Sequence, residues 1–447
     1  MNMLDFYMDE VQSQYPATLD MIAKGWHIDR KALIETRHTL VNEINQQQTE
    51  VEKLIGWIPN TKSSIDMEKL LEQLTVPVDD PTNRSKPTKG YPKGQVKRSE
   101  NDLLRYVHKY PQCRDVLLAC IEITTRRTLA SNFLGMALDS HDHYHPTYRI
   151  NGTKSGRYAS EGADEGGPQA QNWPHNLLNL VIPDNPTTDE LTESDLAQAE
   201  DMIVTWDSQD QVMIDAFTNH IDSHRLKGCW IFRNWEYKDG IPPTDLLASI
   251  TESCSRCSGL GIKKCNHSER FISKSSGYAF KYRMGVRKFI MHQLVPAGVF
   301  ISEVEGKRIQ HRVITPATQR WQDSTDEELK RTRWITNLLG RRRNFYGIHD
   351  SSGEMLRDAL SWKAQSVVGI IAARATVRLE RSLRSIGNGA RLVTQRHDSV
   401  LVNHKFSDRE LVAEAIAEAF FSPINAHGRP LLIPHESKSG PNWRDLV

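Results

Sequence analysis

Much of what would place this chain quickly is missing from it. It has no run of about 18 apolar residues, so no membrane span is expected. Met1-Asn-Met-Leu-Asp-Phe6 has neither a basic start nor an apolar stretch, so no secretory signal is expected and the expected location is cytoplasmic. Six cysteines in 447 residues cannot make a disulfide scaffold. Neither sign of charge dominates, with 57 Lys+Arg against 56 Asp+Glu, so nucleic-acid binding would have to come from local basic patches. No internal repeat is visible. What is present is enough length for about three domains or one multi-lobed enzyme, and a hydrophobic content of 38% that supports a folded core.

Periodicity gives the coarse organisation. Residues 16–76 read as helical, with Leu33, Ile34, Leu40, Val41, Ile44, Val51, Leu54 and Ile55 at helical spacing. Prolines and glycines break this pattern over 77–99. That stretch carries Arg84, Lys86, Lys89, Lys93, Lys97 and Arg98 and has no acid from 81 to 98. It reads either as a solvated flexible loop or as a mobile contact to a phosphate backbone. Helices resume over 100–137. Met202-Ile-Val-Thr-Trp-Asp207 is a strand candidate ending in an acid. A long helix is expected after the Gly347–Gly353 turn region, with Leu356, Leu360, Val367, Val368, Ile371, Ala375, Leu379 and Leu383 repeating every three to four residues and Gly387-Asn-Gly389 ending it.

The sharpest local signal follows that helix. Apolar residues flank His397-Asp398 in Arg391-Leu-Val-Thr-Gln-Arg-His-Asp-Ser-Val-Leu-Val402, which reads as a hairpin with a polar tip. A carboxylate there is held on rigid strands and suits a metal ion. Asp207 and Asp398, each ending or turning a strand, suit two-metal phosphoryl transfer with Mg2+, a hard ion that favours oxygen ligands. Arg270, Lys274, Tyr278 and Tyr282 are spaced by four, so a helix puts two cations and two aromatics on one face. Such a face suits a nucleoside triphosphate; a solvated basic helix with a tyrosine edge is the plainer reading.

In this order, the motifs resemble the polymerase domain of family A DNA polymerases, the DNA polymerase I group. Ser155-Gly-Arg157 with Gln171-Asn-Trp-Pro174 is similar to the family's Thr-Gly-Arg and Gln-Asn-Ile-Pro segment. Asp207-Ser-Gln209 resembles motif A, the Arg270 to Tyr282 face motif B, and His397-Asp398 motif C. Leu338 to Arg343 and Leu19 to Asp29 resemble segments after motif B and at the start of the thumb. The resemblance covers nearly the whole chain. It implies an α+β right-hand fold with an antiparallel palm sheet, a helical thumb and helical fingers. The expected domains are 1–150 (N-terminal segment and thumb), 151–214 (palm), 215–345 (fingers) and 346–447 (rest of the palm). It implies a DNA-directed DNA polymerase binding primer-template DNA and deoxynucleoside triphosphates, with two Mg2+ on Asp207 and Asp398. Arg270, Lys274, Tyr278 and Gln211 would meet the nucleotide, and Lys274 would also protonate pyrophosphate. Arg157, Gln171, Asn172, Tyr282, Arg357, Gln365 and His397 would meet DNA. No proofreading domain is expected, a phage or mobile-element source is, and replisome accessory proteins are among the expected partners. Tyr278, where many members have phenylalanine, implies tolerance of dideoxynucleotides.

Two departures from the family stand out. Its glutamate five residues after the motif A aspartate, which excludes ribose, meets Val212 here; shortening the turn puts Gln211 there, and another shift puts Thr205 or Trp206 at the metal position and makes Asp207 a bystander. Ser399 replaces the glutamate of motif C, and His-Asp-Ser is the form of single-subunit RNA polymerases. An RNA polymerase or primase-like enzyme using ribonucleotides therefore stays open, as does an inactive relative that only binds nucleic acid. Apart from the resemblance, Cys254-Ser-Arg-Cys257 and Cys265-Asn-His267 offer four ligands within fourteen residues, a set that suits structural zinc, with Lys263 and Lys264 favouring thiolates. Unliganded loop thiols are the alternative. Cys113, Cys120 and Cys229 look like ordinary core or surface residues.

Overall fold

Four antiparallel strands form the main sheet. In chain order the elements that matter are β1 (Asp189–Leu196), α1 (Ala199–Asp207), α2 (Ser223–Phe232), α3 (Glu269–Lys281), α4 (Glu354–Ile386), β2 (Arg391–Arg396), β3 (Ser399–Lys405) and β4 (His435–Gly440). The spatial order is β4-β1-β3-β2. This computed structural model describes residues 3–88, 90–162, 167–259, 263–347 and 353–446. The expected contact at Lys89 and part of the turn before α4, residues 348–352, lie outside them.

The chain divides into two compact units, one of residues 1–35, 135–217 and 316–447, the other of 36–134 and 218–315. The sheet, α1 and α4 belong to the first. Its core includes an aromatic cluster: Trp26 lies 5.1 Å from Trp173, 5.4 Å from Trp443 and 6.3 Å from Tyr144 between ring centroids. All four rings are buried. Rings that bury this much area dominate a core, and removing one such indole costs about 3–5 kcal/mol.

α4 is the long helix that periodicity predicts. Leu356, Leu360, Val367, Val368, Ile371, Ala375, Leu379 and Leu383 are all buried, and Gly387 ends the helix at φ 66, where a side chain would be strained. The β2–β3 hairpin also forms, with Arg396 paired to Ser399 and His397 at φ 54 in the turn.

α1 corrects the strand read over Met202–Asp207. Met202, Ile203, Val204, Thr205 and Trp206 are buried on every side, so the segment carries no amphipathic period, and a short apolar run does not distinguish strand from helix. The 16–76 reading is broken too, into helices Tyr15–Lys24, Arg30–Ile55 and Ser64–Gln73. Leu33, Leu40, Ile44, Val51 and Ile55 are buried there, while Ile34, Val41 and Leu54 are exposed.

In the second unit, α2 and α3 pack closely because small residues meet at the contact. Ser273 and Ser276 are fully buried, and a Cβ on Gly228 would lie 3.1 Å from Ser273 Oγ and 2.9 Å from Ile250 Cγ2. The basic 84–98 stretch is a folded loop: Arg84 bridges to Val96, its guanidinium pairs with Glu68, and Arg98 donates to the Lys62 carbonyl at 2.6 Å. Lys86 and Lys93 are exposed.

Candidate active site

In the first unit, the antiparallel register places Asp195 of β1 opposite Ser399 of β3. Asp398 is the residue before Ser399, in the turn, and its carboxyl shares a hydrogen bond with Asp195. Asp195 keeps solvent contact, but the atoms packed around its carboxyl, with the charges of Asp398 and Glu193, push it up to about 7. Burial likewise raises the Asp398 carboxyl, against the pull of Arg157. Glu200, five residues after Asp195, pairs with Arg157 at 2.9 Å and lies close enough to act on Asp398. Arg157 passes α4 at Gly369, where a Cβ would lie 3.1 Å from its Cγ.

The turn is braced from outside. Gln171 accepts from the His397 N–H at 2.8 Å and donates to the Gln395 carbonyl at 2.7 Å, and Gln395 donates to the His397 carbonyl. Among the described residues, Arg157 Nε, Arg396 Nε and Gln395 Oε1 are buried without a hydrogen-bond partner. Hard oxygen donors on rigid strands, crowded until their carboxyls are raised, fit a divalent cation.

This arrangement corrects the expectation for Asp207. Asp207 ends α1, and its carboxylate is filled by Lys363 at 2.9 Å, the Trp321 indole N–H at 2.6 Å and His427 at 3.0 Å. Burial alone would raise this carboxyl, but Lys363 and the two donors hold it below the usual range. The structure brings Asp195 to Asp398, not Asp207. Gln211 falls out with it: it starts the short helix Gln211–Thr218, donates to Asp215 at 2.6 Å and accepts from Arg429 at 2.7 Å. Glu200 stands five residues after Asp195, the spacing that the resemblance expects of a motif A glutamate. Sequence reasoning overlooked Asp195 and Glu200 because β1, Asp-Glu-Leu-Thr-Glu-Ser-Asp-Leu, has only two apolar residues and no strand pattern. The Asp-x-x-Gln-x-Glu spacing over 195–200 was the signal available.

Gln171 and Arg157, both expected to meet DNA, have partners within the protein. Gln171 is buried and spent on the hairpin, and Arg157 is paired with Glu200. Asn172 is exposed, with its amide on Gln169 at 2.7 Å. Arg357 and Gln365 sit half-buried on α4, and His397 is exposed at the turn.

In the second unit, α3 carries Arg270, Lys274 and Tyr278, and Tyr282 caps its end. Lys274 is exposed. Arg270 Nε donates to Asp222 at 2.7 Å, the residue that caps α2. The Tyr278 ring lies 6.0 Å from His224. Immediately before α3, ligand atoms of Cys254, Cys257, Cys265 and His267 lie within 4.8 Å of one another. Backbone N–H groups of Cys254 and Cys257 point at the Cys265 and Cys254 sulfurs at 3.2 and 3.5 Å. Cys113, Cys120 and Cys229 are buried, with thiols pushed up to about 11 by burial.

Comparison with known proteins agrees with the fold. The chain superposes on the polymerase domain of Pol1 from M. smegmatis, solved in complex with DNA primer-template and dNTP, with a TM-score of 0.76, 18% identity, and coverage of 99% of this chain and 71% of that one. The class is therefore the right-hand polymerase fold, α+β, with an antiparallel palm sheet. Within that class the chain is similar in sequence to proteins described as DNA polymerase I. It is 21% identical to DNA polymerase I of Caldicellulosiruptor bescii over 96% of this chain and 46% of that protein, and 23% identical to that of Treponema pallidum over 90% and 36%. The thermostable DNA polymerase I of Thermus caldophilus matches at 21% over 94% and 45%. The chain thus spans less than half the length of these relatives. No family model matches it. Among the described residues, no helix is long and apolar enough to cross a membrane.

Proposed function

We propose that the chain is a template-directed DNA polymerase that extends a primer with deoxynucleoside triphosphates, and that Asp195 and Asp398 hold its divalent ions. The observation that carries this reading is the contact between those two carboxyls, one on β1 and one in the turn that enters β3, with Glu200 five residues after Asp195 and paired to Arg157. Magnesium bound there supplies positive charge to the attacking and leaving oxygens of phosphoryl transfer. The protein's part is positioning. Gln171 and Gln395 fix the turn that presents Asp398. Arg157 orients Glu200, whose carboxylate excludes a ribose hydroxyl.

In the second unit, Arg270 and the exposed Lys274 take triphosphate oxygens, and the Lys274 ammonium is the proton source for pyrophosphate. Tyr278 offers a ring to a nucleotide and Tyr282 to a template base. Asn172, Arg357, Gln365 and His397 are proposed contacts to primer and template. Extension of a primed template with Mg2+ tests the reading. Deoxynucleotides should be used in preference to ribonucleotides, and Asp195→Ala and Asp398→Ala should each cut the rate by at least about 100-fold, the scale of one lost electrostatic contact to developing charge. Binding of primer-template without extension under any divalent ion would overturn it.

The same proposal gives Cys254, Cys257, Cys265 and His267 one structural zinc. The set is tetrahedral in number and soft in donor type, and N–H···S bonds orient two of the sulfurs. His267 directly precedes Ser268, the N-cap of α3, so the ion would pin the base of that helix. Elemental analysis should find one zinc per chain, lost in Cys257→Ala along with thermal stability; a zinc-free wild-type chain would refute it.

A further inference from the structure

β1 carries a second acid on the face that bears Asp195. Residues two apart on a strand point the same way, so Glu193 and Asp195 share a side. Glu193 is only 8% exposed. A carboxylate at that depth needs compensation from hydrogen bonds or charge. One source is the Ser399 hydroxyl, which donates to Glu193 Oε1 at 2.8 Å from the neighbouring strand and also lies 3.2 Å from the Arg396 carbonyl. The Arg396 guanidinium lies near both Glu193 and Asp195.

These contacts do not balance the charge. Glu193, Asp195, Glu200 and Asp398, with the exposed Glu436 across from Asp195, outnumber the guanidinium groups of Arg157 and Arg396, and Arg157 is already paired with Glu200. Arg396 Nε stays buried without a partner among the described residues. Ser399, which takes the place of an acid in the resemblance described above, is the residue that grips Glu193. The negative charge absent from β3 is thus present one strand over, on β1, tied to the very position it left.

We propose that Glu193, oriented by Ser399, is a third carboxylate of the divalent-ion centre, a positioning residue that acts through the ions and not on the nucleotide. The proposal rests on the polymerase reading above. It makes Ser399 a hydroxyl link in that centre and not a sign of ribonucleotide chemistry.

The test pairs Mn2+ binding to the full chain, read by electron paramagnetic resonance, with primer extension across a Mg2+ titration. Glu193→Gln should weaken Mn2+ binding about tenfold or more, the scale for losing a supporting partner of a metal site, and should raise the Mg2+ needed for half-maximal rate. Ser399→Ala should do the same to a smaller degree. The exchange variant, Glu193→Ser with Ser399→Glu, should recover most of the binding that Glu193→Ser alone loses. If the unaltered chain extends primers while Glu193→Gln and Ser399→Ala match it within about twofold in both readouts, well under the expected loss, this proposal fails and the polymerase reading stands. Should Glu193→Gln not fold, Ser399→Ala and the exchange variant decide. No extension by the unaltered chain overturns both readings together.

Discussion

Asp207 is held by a lysine, an indole N–H and a histidine, and its side chain is 6% exposed. Neutralising it leaves the Lys363 ammonium, itself 12% exposed, facing a partner without charge. Breaking a buried pair costs about 3–5 kcal/mol, so Asp207→Asn should lower the melting temperature by several degrees. It should nevertheless extend primers at near the normal rate below that temperature, which separates it from Asp195→Ala; a loss of activity equal to that of Asp195→Ala, in folded protein, would return Asp207 to the centre. Glu200 gives a second measurement. Its removal takes away the proposed block against a ribose hydroxyl, so Glu200→Ala should narrow the preference for deoxynucleotides about 10- to 100-fold, the range of one steric or polar contact in a specificity pocket. Competitive incorporation on a primed template reads the ratio, and an unchanged ratio refutes the role. Tyr278→Phe should reduce chain termination by dideoxynucleotides, checked on a sequencing gel.

At the scale of elements, β1 explains what the sequence hid. α4 and the β2–β3 hairpin were legible because apolar residues mark their periods and glycine or a polar turn marks their ends. β1 is polar along most of its length yet largely buried, because two of its acids find partners distant in sequence: Glu190 in Arg409 at 2.6 Å and Glu193 in the Ser399 hydroxyl. No local pattern announces such partners. α1 was misread for the opposite reason, being apolar throughout. Of the centre, Asp398 was legible from its hairpin, whereas Asp195 needed the strand register. The loop before β1 is tied in by a similar distant contact. Arg391 of β2, 5% exposed, forks onto Asp184 with both distances at 2.6 Å, and His143 lies 3.7 Å from the same carboxylate. Burial would raise the Asp184 carboxyl, but Arg391 and His143 keep it well below the usual range; the neighbouring Asp184 carboxylate in turn raises His143 above its ordinary value. A raised histidine stabilises the fold fully below its unfolded value of about 6.5 and loses that contribution as pH rises through the folded value. His143→Gln should therefore lower the melting temperature more at about pH 5.5 than at about pH 8.5. Equal losses at both would show that the ion pair contributes nothing.

For the whole molecule, a charge balance near zero conceals strong local segregation. Acids gather on β1 and the turn before β3, and exposed lysines lie on the 84–98 loop and α3. Composition could exclude a global polycation but could not find these patches, which folding assembles. The aromatic cluster has an optical consequence. Indoles 5.1 and 5.4 Å apart, with rings inclined at 54° and 83°, must exchange excitation and give rotational strength of a kind isolated tryptophans lack. Trp443 lies beyond β4, while Trp26 and Trp173 precede β1, so the ultraviolet ellipticity of this trio is a built-in reporter of whether distant stretches of the first unit have closed on one another. Replacing Trp443 with phenylalanine should remove the Trp26–Trp443 share of that signal and leave the Trp26–Trp173 share, while the helical band stays.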